Sequence, residues 1–386
     1  MEIKTSSFNG RRLRAAREYH ALTIGELANE IGVTNQAISQ FENNKTEPKT
    51  ETLFAICNVL GFPRDYFFQE NKNNITISNT YFRSLSNTSK KERKAQVEKV
   101  KLLTQVYEGI TAYIRFPEFN LELVQTADEL DVEEMAKYVR EKWELGNDPI
   151  GNLIDVMESH GVIIVNSFDN SSKIDAYSHV EVKCKVVIPL IVLGEEKNFF
   201  RQQFNAAHEL GHILTDGIFD LENMSKAQYR DMEKLMNHFA GALLVPKNLL
   251  QVDLMTKAKK ELNYYIELKK KYKVSAQALI VRAYQIGSIT VNQYQYLMKQ
   301  ISWKQYKSVE PLDKNFPAFK PRYIKEAMRR IFEQQNVTPT QFMEHLQKLK
   351  LSLHMSMVEE LLDLGEGYFT KYGEPAQSKV LLMNVD

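Results

Sequence analysis

Along the chain the spacing of apolar positions changes twice, and the changes divide it into regions. Before residue 70 apolar residues recur every three to four positions in short bursts, which predicts five small helical segments. Thr23-Ile24-Gly25-Glu26 has the form of a capping box, opening a helix that carries Leu27, Ala28 and Ile31 and stops at Gly32. Thr34 caps the next helix, with Ala37, Ile38 and Phe41 inward and Asn35, Gln36, Ser39 and Gln40 outward. This pair predicts a helix-turn-helix with an amide-rich second helix. Residues 131–160 are again helical in pattern, opening at Asp131-Val132-Glu133-Glu134, with Leu153, Val156 and Met157 as apolar positions. The period then shortens. Gly161-Val162-Ile163-Ile164-Val165 and the β-branched run from Val186 to Leu193 read as strands of a small sheet, after which helical spacing returns. The expected fold is α+β and mostly helical.

A chain of 386 residues exceeds one compact core, so two or three domains are expected. With 43% hydrophobic and 26% charged residues it is neither disordered nor fibrous in composition. Its 50 basic and 49 acidic residues nearly cancel, so nucleic-acid binding must rest on a local patch. Cys57 and Cys184 lie far apart with no CxxC spacing, which disfavours a disulfide framework or a thiolate metal site and fits a reducing cytoplasm. The first residues lack an apolar signal core, and no apolar run approaches the roughly 20 residues needed to span a bilayer, so neither secretion nor a membrane partner is expected. The Asn-rich stretch after Glu70 marks a connection. The expected division is a domain at residues 1–70, a linker at 71–95, a second domain at 96–300 and a helical region at 301–386. That last region carries Ile324, Met328, Phe342 and Leu346 at helical spacing, and packing is its simplest use.

Asn and Gln side chains can bond two adjacent edge groups of adenine in the major groove, while Ser and Thr reach phosphates. Solvation of an exposed helix face would use the same residue types. The order of Arg11, Arg12, Arg14 and Arg17, then Leu27-Ala28, Gly32-Val33-Thr34, Ile38-Ser39-Gln40-Phe41-Glu42, Lys45, Pro48 and Thr52-Leu53 resembles the Xre/lambda-repressor-like family over residues 8–68. The resemblance implies that the second helix enters the major groove of an operator duplex. It casts Asn35, Gln36 and Gln40 as base readers, with Thr34, Ser39 and Lys45 near the backbone. Asn44 stands where the family often has glycine, and asparagine tolerates a left-handed backbone.

In a helix, residues four apart share a face, so His208 and His212 can address one ion while Glu209 lies beside them. Two imidazoles need at least one further protein ligand and an open position for water. The next helical pattern begins with the capping box Ser225-Lys226-Ala227-Gln228 and carries Met232, Leu235, Met236, Phe239 and Leu243 toward Pro246. Glu233 borders that apolar stripe, with Asn237 one turn later. Asp231, Asp216, Asp220, Glu222 and His238 are the competing donors, and histidines on a partly apolar helix are often core residues.

The string Arg201-x-x-Phe204-x-x-Ala207-His208-Glu209-Leu210-Gly211-His212, followed by Glu233-x-x-x-Asn237-x-Phe239-Ala240 and Leu243-Leu244-Val245-Pro246, resembles the ImmA/IrrE family of zinc peptidases over residues 130–250. The resemblance implies a zincin-like domain with one zinc per chain on His208, His212 and Glu233, Glu209 as general base, and a repressor protein as substrate. Met236 replaces an alanine common in the family. The function expected is thus a transcriptional regulator with a signal-released zinc endopeptidase. The alternative is a metal-binding or antitoxin-like regulator without hydrolysis, but a purely structural site has no use for Glu209. An operator duplex, a protein substrate and a second copy of the chain are the expected partners. Tyr177, His179 and His238 are candidates to stabilise an oxyanion, and Tyr81-Phe82 and the region beyond Trp303 are candidates to cover the cleft.

Overall fold

The computed structural model describes residues 7–70, 81–82, 89–127, 130–167, 176–183, 186–194, 198–221 and 223–373. The chain opens with α1 (Gly10–Tyr19), α2 (Ile24–Ile31), α3 (Asn35–Glu42), α4 (Thr50–Leu60) and a 3-10 turn at Arg64–Phe68. The Thr23 side chain accepts from the Glu26 amide while the Glu26 carboxylate accepts from the Thr23 amide, so both halves of the capping box form. Gly32 ends α2 in the left-handed conformation, and Thr34 caps α3 through the Ala37 amide. The five expected segments are these four helices and the 3-10 turn. A two-residue strand β1 (Tyr81–Phe82) and a long helix α5 (Lys90–Thr111) follow.

Next come α6 (Val132–Lys142), α7 (Leu153–Ser159), β2 (Ile163–Asn166), β3 (Ala176–Lys183), β4 (Val186–Leu193), α8 (Phe199–Leu214) and α9 (Lys226–Leu244). The rest is helical: α10 (Lys247–Asp253), α11 (Leu262–Tyr272), α12 (Ala276–Gln285), α13 (Val291–Trp303), α14 (Tyr323–Gln334), α15 (Pro339–Lys348) and α16 (Met355–Leu361). The mostly helical α+β class is therefore met. Asp131 and Asn152 cap α6 and α7 through pairs of backbone amides.

Two compact units result, and they do not follow the expected boundaries at residues 95 and 300. The first joins α1–α5 to α14–α16; the second holds the sheet with α6–α13. The helical C-terminal third is therefore shared between the units rather than standing as a region of its own.

In the first unit α5 packs along α1 and buries Val100, Leu103, Val106 and Ile110 completely. At Gly109 a side chain would meet Leu346 of α15 at 2.3 Å, so glycine permits that close approach. Gln69 and Ser352 bond reciprocally, the Gln69 amide donating to Ser352 Oγ at 2.8 Å and the Ser352 backbone N–H to Gln69 Oε1 at 3.0 Å.

The second unit is organised by a sheet of order β1-β3-β4-β2, in which β2 and β4 are parallel and the other neighbours antiparallel. Strand pleating puts Ala176, Ser178 and Val180 of β3 and Ile191 and Leu193 of β4 on one face. The apolar members of that face share a core with Ala206, Ala207 and Leu210 of α8. α9 packs against α8 and α6. Its C-terminal carbonyls, which no intrahelical amide can reach, are met by buried guanidinium groups: Arg140 Nη1 donates to Leu243 O at 2.5 Å and Arg282 Nε to Val245 O at 3.0 Å.

Candidate metal centre and nucleic-acid interface

α8 begins at Asn198, whose side chain caps the Phe200 and Arg201 amides. Its first turns are fixed by two buried glutamines. Gln203 accepts from the Leu153 amide at 2.6 Å and donates to Lys273 O at 3.0 Å, while Gln202 bonds Phe319 backbone groups in both directions at 2.7 Å. The helix is held from several sides before it reaches its histidines.

His208, Glu209 and His212 are all fully buried. Gly211 lies between them where α9 crosses, and a side chain there would meet Phe239 at 2.9 Å and the Met236 sulfur at 3.0 Å. Met236, the departure from the family pattern, is therefore a packing residue laid over Gly211, and its sulfur also accepts a bond from Thr215 Oγ1 at 3.7 Å. This close crossing brings α9 near enough for Glu233 to face both rings. Glu233 Oε2 lies 3.3 Å from His208 Nε2, Glu233 Oε1 lies 3.3 Å from His212 Nε2, and the two Nε2 atoms are 3.1 Å apart.

Ligand atoms about 2.0–2.1 Å from a common tetrahedral zinc are spaced by about 3.3 Å, so these separations fit one such ion. Two imidazoles and one carboxylate also match the three-ligand donor set that leaves a fourth position open. Burial alone would raise the Glu233 carboxyl, but bonds and charge from His208 and His212 outweigh it and hold the group well below the ordinary carboxylate range.

Among the described residues, no other cluster of three such donors converges. Asp231 is exposed and pairs with Lys234 at 2.7 Å, Asp220 bonds Asn223, and Asp216 stays outside the cluster; Glu222 lies outside the described residues. His238 points elsewhere, bonding Glu133 Oε1 at 2.9 Å. Asn237 remains one turn from Glu233 and donates to its backbone carbonyl at 2.8 Å.

A residue that pattern reasoning missed holds one oxygen of Glu209. Ser178 Oγ donates to Glu209 Oε2 at 2.7 Å, and both side chains are completely buried. The signal for β3 was present in the alternation of Ser178, Val180 and Val182 with Tyr177, His179 and Glu181, after the turn-rich Asp169-Asn170-Ser171-Ser172, but Lys183-Cys184-Lys185 gives no turn signal to part it from the next run. That same alternation places Tyr177 and His179 on the sheet face opposite Ser178. Burial pushes the Tyr177 hydroxyl up and the His179 imidazole down to about 4, so His179 is held neutral. None of Tyr177, His179 and His238 joins the cluster of His208, His212 and Glu233.

α3 presents the opposite environment. Thr34, Asn35 and Gln36 are exposed, Ser39 and Gln40 half-buried, and Lys45 exposed just beyond the helix. Ile38, Phe41 and Glu42 form its buried side. Glu42 accepts from Arg17 at 2.5 and 3.0 Å and from Arg14 at 3.2 Å, tying α3 to α1. Arg12 donates to the Glu70 and Lys350 carbonyls and stacks over Tyr66. Of the four arginines of the first helix, Arg12 and Arg17 are thus buried scaffold, and Arg11 and Arg14 are exposed. Asn44 adopts the left-handed backbone at φ 53 and also accepts from the Gly10 amide at 2.7 Å, a bond glycine could not supply.

Comparison with known proteins matches residues 13–67 to the helix-turn-helix family model and residues 157–284 to the IrrE N-terminal-like domain, a peptidase family. The chain is 38% identical over 60 residues to "Repressor protein C2" of Salmonella phage P22, an overlap that covers 16% of this chain and 28% of that repressor. The chain therefore joins a repressor-like helix-turn-helix segment to an IrrE-like domain of metallopeptidase type. No described helix is long and apolar enough to cross a membrane.

Proposed function

We propose that the protein is a DNA-binding transcriptional regulator whose second unit is a zinc-dependent endopeptidase, cutting a repressor-type protein when a signal releases it. The observation that carries this reading is the convergence of His208, His212 and Glu233 to within 4.8 Å beside a buried Glu209. A structural site needs ligands but no base, and burying a carboxylate without a task is costly.

His208 and His212 would hold the ion through Nε2 and Glu233 through its carboxylate. Zinc, when bound, supplies Lewis-acid polarisation of the scissile carbonyl and acidifies the attacking water. Glu209 takes the water proton and passes it to the departing amine as the tetrahedral carbon collapses. Ser178 holds Glu209 Oε2 and so fixes the orientation of that carboxylate. In the first unit, Asn35, Gln36 and Gln40 read base edges while Thr34, Ser39 and Lys45 meet the backbone. A second copy of the chain on a two-fold operator suits this geometry.

Metal analysis of the purified chain should give about one zinc per molecule. Glu233→Ala should lose it while Asp231→Ala keeps it. Incubated with repressors encoded by neighbouring genes, the zinc-loaded protein should cut one of them at a basal rate that the releasing signal raises, and Glu209→Gln should retain zinc yet cleave about 10²–10⁴-fold more slowly. Zinc retention by Glu233→Ala would remove the third ligand from this account. Equal cleavage by Glu209→Gln would remove the base.

A further inference from the structure

On α8 the positions Arg201, Phe204 and Asn205 continue the helix face that carries His208 and His212, and on α9 Asn237 and Gly241 continue the face of Glu233. All five line one cavity of about 460 Å³, bordered on its other side by α12 along its length and by the segment around Lys307. Asn205 and Asn237 lie about one helical turn, roughly 5–6 Å, from the metal-facing residues. An extended peptide advances about 3.3 Å per residue, so a chain lying across the ligands would place a side chain one to three residues from the cut bond in this space.

The cavity's charges are unequal in their freedom. Its lining carries three charged residues: Arg201, Lys307 and Glu310. Glu310 is already engaged, accepting from Lys269 Nζ at 2.8 Å, the Ala276 amide at 2.8 Å and the Gln277 amide at 3.0 Å. It serves as the carboxylate cap of α12. Lys269 also bonds Asp313, so this buried group carries a net charge of one negative, partly offset by the helix terminus it caps. Arg201 and Lys307 are exposed, and the Arg201 guanidinium donates to the Lys307 carbonyl, which ties the Arg201 side chain to the backbone that carries Lys307. An incoming anion finds donors here, whereas an incoming cation finds the one carboxylate already satisfied.

We propose that this cavity is a specificity pocket which takes an acidic side chain of the bound peptide, with Arg201 and Lys307 as its counter-charges. The inference rests on the peptidase reading only in naming that peptide a substrate; its preference can be measured by binding. The zinc-loaded Glu209→Gln full chain would be immobilised and panned against a random library of twelve-residue peptides. Asp and Glu should be enriched at one peptide position by about threefold or more at low salt, falling at high salt, as expected for partly exposed ion pairs. Adding Arg201→Glu and Lys307→Glu should shift the enrichment to Lys and Arg. Lys299→Glu, which lies outside the cavity, should leave it unchanged.

Absence of acidic enrichment in the unmodified pocket overturns the proposal, as does a preference that survives the double reversal or is altered equally by Lys299→Glu. Should the double reversal lose its zinc, Lys307→Ala at its exposed position carries the test, and an undiminished acidic preference there is equally fatal. The two readings fail separately. If acidic peptides are enriched but the zinc-loaded wild-type chain leaves them intact, the pocket stands and the peptidase falls. If peptides are cut without acidic preference, the peptidase stands and the pocket falls.

Discussion

At the candidate metal centre His208, Glu209 and His212 are completely buried, whereas on α3 the base-reading candidates face outward and only the supporting residues are buried. His208, Glu209 and His212 depend on a helix crossing closed over Gly211, on Glu233 from a second helix and on Ser178 from a strand 31 residues upstream of Glu209. Asn35, Gln36 and Gln40 come from less than three turns of one short helix, and their setting is local. A site that must exclude bulk water is assembled from distant parts of the chain. A surface that must meet a duplex can be written in one stretch and then clamped from behind.

The clamp on α3 is where that contrast can be broken most forcibly. Glu42 and Arg17 are nearly inaccessible, with side-chain exposures of 1% and 9%, so Glu42→Ala leaves a buried guanidinium with only Glu18, 4.0 Å away and already paired with Lys94, as counter-charge. Losses of this kind run to about 3–5 kcal/mol. Denaturant unfolding of the first unit should show a cost of that order, and operator binding should disappear with it. Replacing both partners together by apolar residues should recover much of the loss; if Glu42→Ala alone costs under about 1 kcal/mol, the ion pair is not what holds α3.

A smaller effect is expected on the exposed side of the same helix. Gln36→Ala and Gln40→Ala should each weaken binding to the correct operator by about 1–3 kcal/mol and relax base preference at one position, without changing the unfolding free energy. Titrations against operator and scrambled duplexes separate these outcomes. Equal affinities for both duplexes, unchanged by either substitution, would mean that another element reads the DNA.

How far the sequence reached follows the same contrast. Thr23, Thr34, Asp131 and Ser225 announce their helices because a cap is satisfied within three residues. His208 and His212 are legible together because four-residue spacing fixes a shared face. Glu233 was legible as the best of several donors, but its nearness to both rings depends on the crossing at Gly211, which no local pattern encodes. Ser178 was missed because a hydroxyl beside a carboxylate 31 positions away leaves no local trace. The burial of α5 from Val100 to Ile110 is assigned to α1 and α15 only by tertiary structure. The basic run of α1 misleads for a related reason: composition counts Arg12 and Arg17 as surface charge, although both are consumed inside the unit.

The smallest effect concerns the border of the second unit, where a charged group is neither as dry as Glu209 nor as open as Gln36. Glu133 on α6 accepts from both Arg282 Nη atoms and bonds the His238 ring, linking α6, α9 and α12. Burial by itself would raise its carboxyl, but the bonds from Arg282 and then His238 prevail and lower it to about 2. Because the folded value lies below the ordinary 4.5, the carboxylate contributes stability that is complete above about pH 4.5 and is lost as the pH falls toward 2. Its side chain is 38% exposed, so solvent screening should hold the contribution below about 1 kcal/mol. Glu133→Gln alone would strand Arg282, which is 1% exposed, and confuse the measurement. The double change Glu133→Gln with Arg282→Met removes both charges. Unfolding should be followed in zinc-stripped protein, since protonation of ligating groups would otherwise release metal in the same pH range. Between pH 6 and pH 3 the parent should lose up to about 1 kcal/mol more stability than the double variant. Coincident pH profiles would show that the Glu133 pair contributes nothing measurable, and that the border of the second unit behaves electrostatically like the open surface of α3.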